Sequence, residues 1–215
     1  MTDSAQTQEL IRAVAQADSP ARLVAAVQKL AAAQNQEGIS TLIAVLGYNN
    51  PTAAAIAVKG LIQLGQSAVQ PLMEQLDEYN YGARAYAIRA LAAITDPRAL
   101  DVLITAAATD FAPSVRRAAA KGLGILHWSE LAPEQRQSAQ AKAQKTLLSV
   151  SQDPEWSIRY AAVVGLQALS ILAPDLTQQI QAQFEQMVQN DTDLAVRARV
   201  QLAIAQLEQE IVHQS

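Results

Sequence analysis

Apolar residues recur along the chain at the spacing of one helix face. The segments 42–46, 69–76 and 100–107 each place Leu, Ile, Val or Ala at intervals of three or four residues. Turn signals such as Asp96-Pro97 and Asp153-Pro154 lie between predicted helices. The pattern predicts short helices joined by tight turns, and we interpret the three segments as the first helices of repeated pairs.

A second pattern, rich in small residues, returns five times and predicts the second helices. Its anchor position advances by 30, 32, 43 and 38 residues, which is typical of a two-helix repeat with insertions late in the chain. The residue three after the anchor is small or β-branched and the residue seven after it is Leu or Ile, so both lie on one face and permit close stacking. The anchors are Ala54, Arg84, Arg116, Arg159 and Arg197.

The repeats predict an all-α solenoid of about five to six helix pairs, forming one domain over residues 1–215. Residues 1–40 are interpreted as a degenerate N-terminal repeat, 41–205 as the repeat array and 206–215 as a polar C-terminal cap. The Gln-rich stretch 129–145 accounts for the longest spacing, and we expect it to form an extra or extended first helix.

Composition and charge exclude several functions. The formal net charge of −4 disfavours nucleic acid as the main partner, because phosphate binding needs dense positive charge. The chain has no Cys, hence no disulfide, thiolate metal site or thiol nucleophile of its own. It also has no apolar run of 18 residues and no leader-like start, so we expect a soluble, cytoplasmic protein without membrane insertion.

Basic residues concentrate in the predicted second helices, and five of the nine aromatic residues fall between Tyr79 and Trp128. Nine of the sixteen Lys and Arg lie in those helices, although the chain is acidic overall. Arginine forks bind carboxylates and aromatic rings offer flat surfaces, so the combination suits a planar anionic ligand or the acidic face of a partner protein. The nine basic residues are Lys59, Arg84, Arg89, Arg116, Arg117, Lys121, Arg159, Arg197 and Arg199.

A structural role for the anchor arginines is the alternative. Each would bond an Asp in the loop before its helix: Asp110 for Arg116, Asp153 for Arg159, and Asp191 or Asp193 for Arg197. Arg84 has no Asp at that spacing, and the Tyr79-Asn80-Tyr81-Gly82 run before it departs most from a plain repeat. That run is either a binding loop or a structural turn.

No catalytic constellation is visible in the residue spacing. The two His, His127 and His213, lie far apart, and His127 beside Trp128 is interpreted as a residue that caps or packs. No Ser/His/Asp triad, carboxylate pair or metal-ligand cluster occurs, so no metal is expected.

The sequence from Asn80 to Leu91, then Asp96-Pro97-Arg98-Ala99-Leu100 and the run from Asp110 to Gly124, resembles the HEAT-like repeats of phycobilisome lyases. The resemblance covers roughly residues 40 to 205, and the Tyr-rich turn and the length are most similar to F-type (beta) subunits of heterodimeric phycocyanobilin lyases. It implies an all-α, HEAT-like α-solenoid that acts with an E-type partner subunit. That pair would join phycocyanobilin, as substrate and without a further cofactor, to a cysteine of the phycocyanin alpha subunit through a thioether bond, during cyanobacterial phycobilisome assembly. The isomerising relatives carry a His-Cys motif, which a chain without Cys lacks.

The resemblance directs the residue predictions. The acceptor protein supplies the attacking thiol, so the lyase holds, orients and protonates the bilin. The candidate proton donors are Asp77, Glu78 and Asp110. The candidate bilin-binding residues are Tyr79, Asn80, Tyr81, Arg84, Arg89, Arg116, Arg117, Trp128, Trp156, Arg159 and Tyr160. A non-catalytic scaffold and a bilin-detaching protein of the same family are the alternatives.

Overall fold

The protein is built from α-helices arranged as consecutive pairs. The computed structural model describes the backbone of residues 3–76 and 81–213 and the side chains of residues 4–76 and 81–210. These ranges contain twelve α-helices and no strand, which confirms the predicted all-α fold of HEAT-like repeats with about five to six helix pairs. The helices are α1 Asp3–Ala15, α2 Pro20–Ala32, α3 Ile39–Leu46, α4 Pro51–Leu64, α5 Gln66–Glu74, α6 Tyr81–Ile94, α7 Leu100–Thr109, α8 Pro113–Gly124, α9 Pro133–Val150, α10 Trp156–Leu172, α11 Thr177–Asn190 and α12 Leu194–His213.

Local sequence signals explain where the helices begin. Proline opens α2, α4, α8 and α9, where its missing N–H is not needed. Ser19 and Asn50 cap α2 and α4 by accepting backbone N–H groups with their side chains. Every anchor residue found in the sequence is the fourth residue of its second helix, in α4, α6, α8, α10 and α12. The periodic pattern therefore reports a fixed position in each repeat.

The chain forms two compact units, Met1–Ile94 and Thr95–Ser215. In the first unit α2 packs on α4, and α4 packs on α6. In the second unit α8 packs on α10, and α10 packs on α12, while α7 contacts α9. The organisation of residues 1–215 as one domain stays a prediction. The last helix, α12, extends to His213, into the segment 206–215 that we predicted to be a polar cap.

Small residues bring the second helices close together in the second unit. Ala119 and Ala162, three residues after their anchors, are fully buried, as are Leu123 and Leu166 seven residues after them. Where α8 and α10 cross, a Cβ atom on Gly124 would overlap the backbone of Gly165. Side chains larger than glycine at these two positions would therefore force the α8 and α10 backbones apart.

The predicted irregularity at 129–145 is an extended first helix. A short 3-10 turn at Trp128–Glu130 leads into α9, which has 18 residues and buries Ala139, Ala143 and Leu147 on one side. The helix packs on α7 and α10. The insertion thus lengthens a repeat without adding a new pair.

Candidate functional site

Side chains on the solvent-facing side of α8 and α10 combine positive charge with aromatic surface. On α8, Arg117 and Lys121 lie one turn apart, with Lys121 exposed and Arg117 half-buried. On α10, Trp156 is 46% exposed, and half-buried Tyr160 follows it one turn later. These four residues, with half-buried Val164 one turn further along α10, form what we call the α8–α10 face.

Arg117 ties the two helices of this face together through a neutral partner. Its Nη1 donates to the hydroxyl of Ser157 on α10 at 2.9 Å. Within the described residues its guanidinium forms a hydrogen bond with a hydroxyl and no ion pair with a carboxylate. Its positive charge is therefore available to an anion. Lys121 likewise has no ion pair within the part of the chain that is described. Arg117, Trp156 and Tyr160 are among the ligand contacts predicted from the sequence. Lys121 is not, although its position one helical turn after Arg117 could have indicated it.

Two of the predicted ligand arginines are instead held by aspartates within the second unit. Arg116 Nη2 pairs with Asp153 and its Nε donates to the carbonyl of Ala107. Arg159 donates two hydrogen bonds of 2.7 Å to Asp191, from Nε and Nη2 to the two carboxylate oxygens. These pairs stabilise the stacking of successive repeats. As bilin contacts, Arg116 and Arg159 stay predictions, because binding would have to compete with these pairs.

The pairing corrects part of the structural alternative drawn from the sequence, namely which Asp carboxylate each arginine binds. Each paired Asp lies in the loop of the following repeat, since Arg116 meets Asp153 and Arg159 meets Asp191. Arg159 and Arg197 also bond the backbone of their own preceding loops. Arg159 Nη1 donates to the Asp153 carbonyl at 2.8 Å, and Arg197 Nη1 donates to the Asp191 carbonyl at 2.6 Å. The fourth residue of a second helix lies beside the next loop, a relation between repeats that spacing alone does not show.

The loop aspartates also stabilise the turns in which they lie. Asp153 and Asp191 each accept the backbone N–H two residues later through Oδ1, at 2.9 Å. Asp110, one of the predicted proton donors, accepts the N–H of Ala112 in the same way. Asp110 therefore has a structural use in the turn before α8, and its role as an acid stays a prediction.

The Arg159 pair lowers the pKa of Asp191 below its ordinary value near 3.8, because the hydrogen bonds from Arg159 stabilise the carboxylate more than burial disfavours it. A carboxyl group with a lowered folded-state pKa contributes stability that is full above its unfolded pKa and is lost as pH falls through the folded value. We therefore expect the stability difference between the wild type and Asp191→Asn to shrink below about pH 4. Urea unfolding at a series of pH values measures this difference.

Asp101→Asn is the control for this prediction. The Asp101 side chain is 82% exposed and meets Lys142 only at 3.6 Å. Its replacement should change stability little at any pH, since exposed pairs contribute little. A difference for Asp191→Asn that is constant from pH 7 to pH 3 would contradict the expected linkage.

In the first unit, aromatic and basic side chains meet at the start of α6. The Arg84 guanidinium carbon lies 5.8 Å from the ring centroid of Tyr81, and that of Arg89 lies 5.8 Å from the ring of Tyr86. Tyr81 is 39% exposed and Arg89 faces solvent. Asp77, Glu78, Tyr79 and Asn80, which we also predicted as site residues, lie outside the described residues.

Trp128 lies in the core of the second unit. Its side chain is buried, at 4% exposure, and its indole Nε1 has no hydrogen-bond partner within the described residues. Stacking on a ligand would require the ring to become accessible, so the structure gives its predicted binding role no support. The neighbouring His127 side chain is exposed, while its backbone N–H donates to the Thr95 carbonyl at 2.8 Å and a ring nitrogen lies 3.0 Å from the Thr95 hydroxyl.

An open groove of about 390 Å³ lies between the loop after α9 and the end of α11. We call it the α9–α11 groove. Met187, which is nearly buried, and Pro154 contribute apolar surface, and the Arg159–Asp191 pair forms part of the wall. Its uncharged polar residues are Ser151, Gln152, Gln183, Gln186, Asn190 and Thr192.

The described part of the chain shows neither a metal-binding cluster nor a membrane-spanning helix. Among the described side chains, those of residues 4–76 and 81–210, no three His, Asp or Glu come together in a way that would hold a metal ion. Across the same ranges, none of the helices combines the length and apolarity that crossing a bilayer would demand.

Comparison with known proteins agrees with the fold and with the resemblance. A match to HEAT repeats covers residues 50–124 and 69–140. The phycocyanobilin lyase subunit beta of Nostoc sp. (strain PCC 7120 / SAG 25.82 / UTEX 2576) is 64% identical over 200 residues, which are 93% of this chain and 100% of that protein. The phycocyanin alpha phycocyanobilin lyase CpcF of Synechocystis sp. (strain ATCC 27184 / PCC 6803 / Kazusa) is 47% identical, over 91% of each chain.

A solved structure extends the comparison to an assembly. A chain of the complex of CpcE and CpcF of phycocyanin lyase from Nostoc sp. PCC7120 superposes with a TM-score of 0.76 and 64% identity, covering 79% of this chain and 99% of that one. Both the sequence and the fold are thus shared along nearly the whole length of these relatives. The chain belongs to the family of phycocyanobilin lyase beta subunits, which are built from HEAT repeats.

Proposed function

We propose that the chain is the F-type (beta) subunit of a heterodimeric lyase that attaches phycocyanobilin to a cysteine of the phycocyanin alpha subunit. The observation that carries this proposal is the 64% identity over the entire length of a curated beta subunit. The E-type partner is inferred from the relative that was solved together with CpcE, and the acceptor from the name of the Synechocystis relative. The protein works in the cytoplasm, in the assembly of phycobilisomes.

The chemistry requires no nucleophile in this chain, which has no Cys. The acceptor thiol adds across the exocyclic ethylidene double bond of the bilin: a carbon–sulfur bond forms, and the bilin takes up one proton in place of the proton that the thiol loses. The lyase therefore orients the bilin against the thiol and delivers a proton. Besides phycocyanobilin, which is the substrate, the reaction needs no oxidant and no further cofactor.

The α8–α10 face suits the binding part of this task. Arg117 and Lys121 supply charge for the two propionates, while Trp156 and Tyr160 offer aromatic surface to the tetrapyrrole. Arg117 bonds only a hydroxyl within the described residues, so a propionate would replace a neutral partner. Arg84 and Arg89 with Tyr81 offer a similar combination in the first unit. Asp110 is the candidate acid within the described residues.

Co-expression tests the proposal directly. The chain, an E-type subunit, the apo-phycocyanin alpha subunit and phycocyanobilin are produced together, and zinc-induced fluorescence of the denatured acceptor reports covalent attachment. We expect fluorescence that depends on both subunits and that disappears when the acceptor cysteine is replaced by alanine. Equal attachment without this chain would overturn the proposal. Loss of bilin from a preloaded acceptor would instead favour the bilin-detaching alternative.

A further inference from the structure

The α9–α11 groove is chemically unlike the α8–α10 face. No aromatic ring lines it, and its one lining cation, Arg159, is already bonded to Asp191. The second lining carboxylate, Asp153, is paired with Arg116. A tetrapyrrole with propionates, a small anion or a metal ion would therefore find no available charge in the groove. What it offers to a ligand is uncharged hydrogen-bonding surface.

We propose that the α9–α11 groove binds an extended segment of the acceptor protein next to the cysteine that receives the bilin. This inference rests on the proposed function and assigns the acceptor a docking surface on this chain. The exposed carboxamides of Gln152, Gln186 and Asn190 each present donors and an acceptor. An extended peptide carries the same alternation of N–H and C=O groups, all of which need partners when they leave water.

The ends of two helices indicate which charge a segment bound in the groove should carry. α9 ends at Val150 and α11 at Asn190, so the last carbonyl groups of both helices lie beside the groove. Helix C-termini carry partial negative charge, whereas the two lining carboxylates are each paired with an arginine and add no net charge. A segment with neutral or basic side chains therefore complements the groove, whereas an acidic segment is disfavoured.

The position of the groove favours the acceptor over the partner subunit as its occupant. The first turn of α10 separates the groove from the α8–α10 face, because Pro154 and Arg159 line the groove while Trp156 and Tyr160 lie on that face. A chain that lies in the groove therefore passes within one helical turn of the proposed bilin contacts. Holding the acceptor there raises the effective concentration of its thiol at the bilin.

The exposed apolar side chains near the groove suit the same occupant. Trp156 follows Pro154 by two residues, and Leu194, 72% exposed, follows Thr192 by two residues. Both stand at the first position of their helices, directly after the loops that border the groove. Leu194 therefore offers a contact for an apolar side chain of a bound segment, and Trp156 marks the side on which that segment would approach the α8–α10 face.

The test uses the heterodimer with the double variant Gln186→Ala/Asn190→Ala. Both side chains are exposed, so the variant should fold, which circular dichroism checks. We expect the KM for the apo-acceptor to rise about tenfold, since two hydrogen bonds are lost, with little change in kcat. The affinity for phycocyanobilin, measured by its absorbance change, should stay the same. The control Gln178→Ala/Gln189→Ala removes two exposed carboxamides of the same helix that do not line the groove, and it should behave as wild type.

Several outcomes would overturn the inference. An unchanged KM for the acceptor would exclude docking in the groove. A fall in bilin affinity would assign the groove to the chromophore, and dissociation of the heterodimer in light scattering would assign it to the partner subunit. Calorimetric titration of the heterodimer with apo-acceptor needs no turnover. It therefore tests the groove even if the wild type transfers no bilin, a result that would overturn the proposed function instead.

Discussion

Replacing Arg159 by alanine is expected to lower the free energy of unfolding by about 3 kcal/mol, because the buried Asp191 carboxylate loses its charged partner. The Asp191 side chain is only 4% exposed and receives both hydrogen bonds of the guanidinium fork. Lysine should restore only part of the loss, since it cannot reproduce the two parallel bonds. Chemical unfolding followed by circular dichroism measures the effect.

The matched control for this variant is Arg22→Ala. Arg22 pairs with Asp18 at 2.9 Å, but these side chains are 72% and 66% exposed. Its loss should cost less than about 1 kcal/mol, as is usual for surface pairs. Similar losses for the two variants would show that the Arg159 pair does not stabilise the stacked repeats. Bilin transfer by Arg159→Ala, measured where the variant is still folded, separates its structural role from any role in binding.

The double variant Arg117→Ala/Lys121→Ala is expected to lower the efficiency of bilin transfer about 100-fold, because each residue supplies a charge-assisted hydrogen bond to a propionate. Both side chains belong to the α8–α10 face, and Arg117 bonds only Ser157 within the described residues. The bilin absorbance titration should show the same loss as weaker binding, while stability changes little.

Lys142→Ala/Lys145→Ala provides the control with an equal change of net charge. These lysines lie exposed on α9, a first helix, away from the α8–α10 face. They should leave transfer nearly unchanged. If the two double variants reduce transfer to the same extent, the effect comes from overall charge, and the α8–α10 face is not the propionate site.

Much of the fold could be predicted from local patterns. The anchor residues, the small residues three positions later and the Leu or Ile at seven mark the second helices, and each anchor is the fourth residue of its helix. This works because helical periodicity and turn chemistry act over short distances. The carboxylate partners of the arginines were less predictable. The sequence pointed to the Asp before each helix, whereas Arg116 and Arg159 pair with the Asp carboxylate of the next repeat, although Arg159 also bonds the backbone carbonyl of Asp153 before its own helix.

The candidate site was only partly predictable, because contacts between repeats cannot be derived from local residue spacing. Arg117, Trp156 and Tyr160 were named from the sequence, but Arg116 could not be told apart from its neighbour Arg117 until the contacts of each guanidinium were known. Trp128 was expected to contact ligand because it is aromatic and close to charged residues in sequence, yet packing buries it. The α9–α11 groove left no signal, since its walls come from helices about thirty residues apart in the chain.

The amino-acid sequence by itself determined the helices, their pairing into repeats, the absence of a thiol and the family resemblance, because these depend on residue type and on spacing within one or two turns. Only the tertiary structure decided which arginines stay available to an anion and which are held by aspartates. That choice depends on how one repeat stacks on the next, at distances that close packing sets and that separate Arg116 from Arg117 although they are adjacent in the chain.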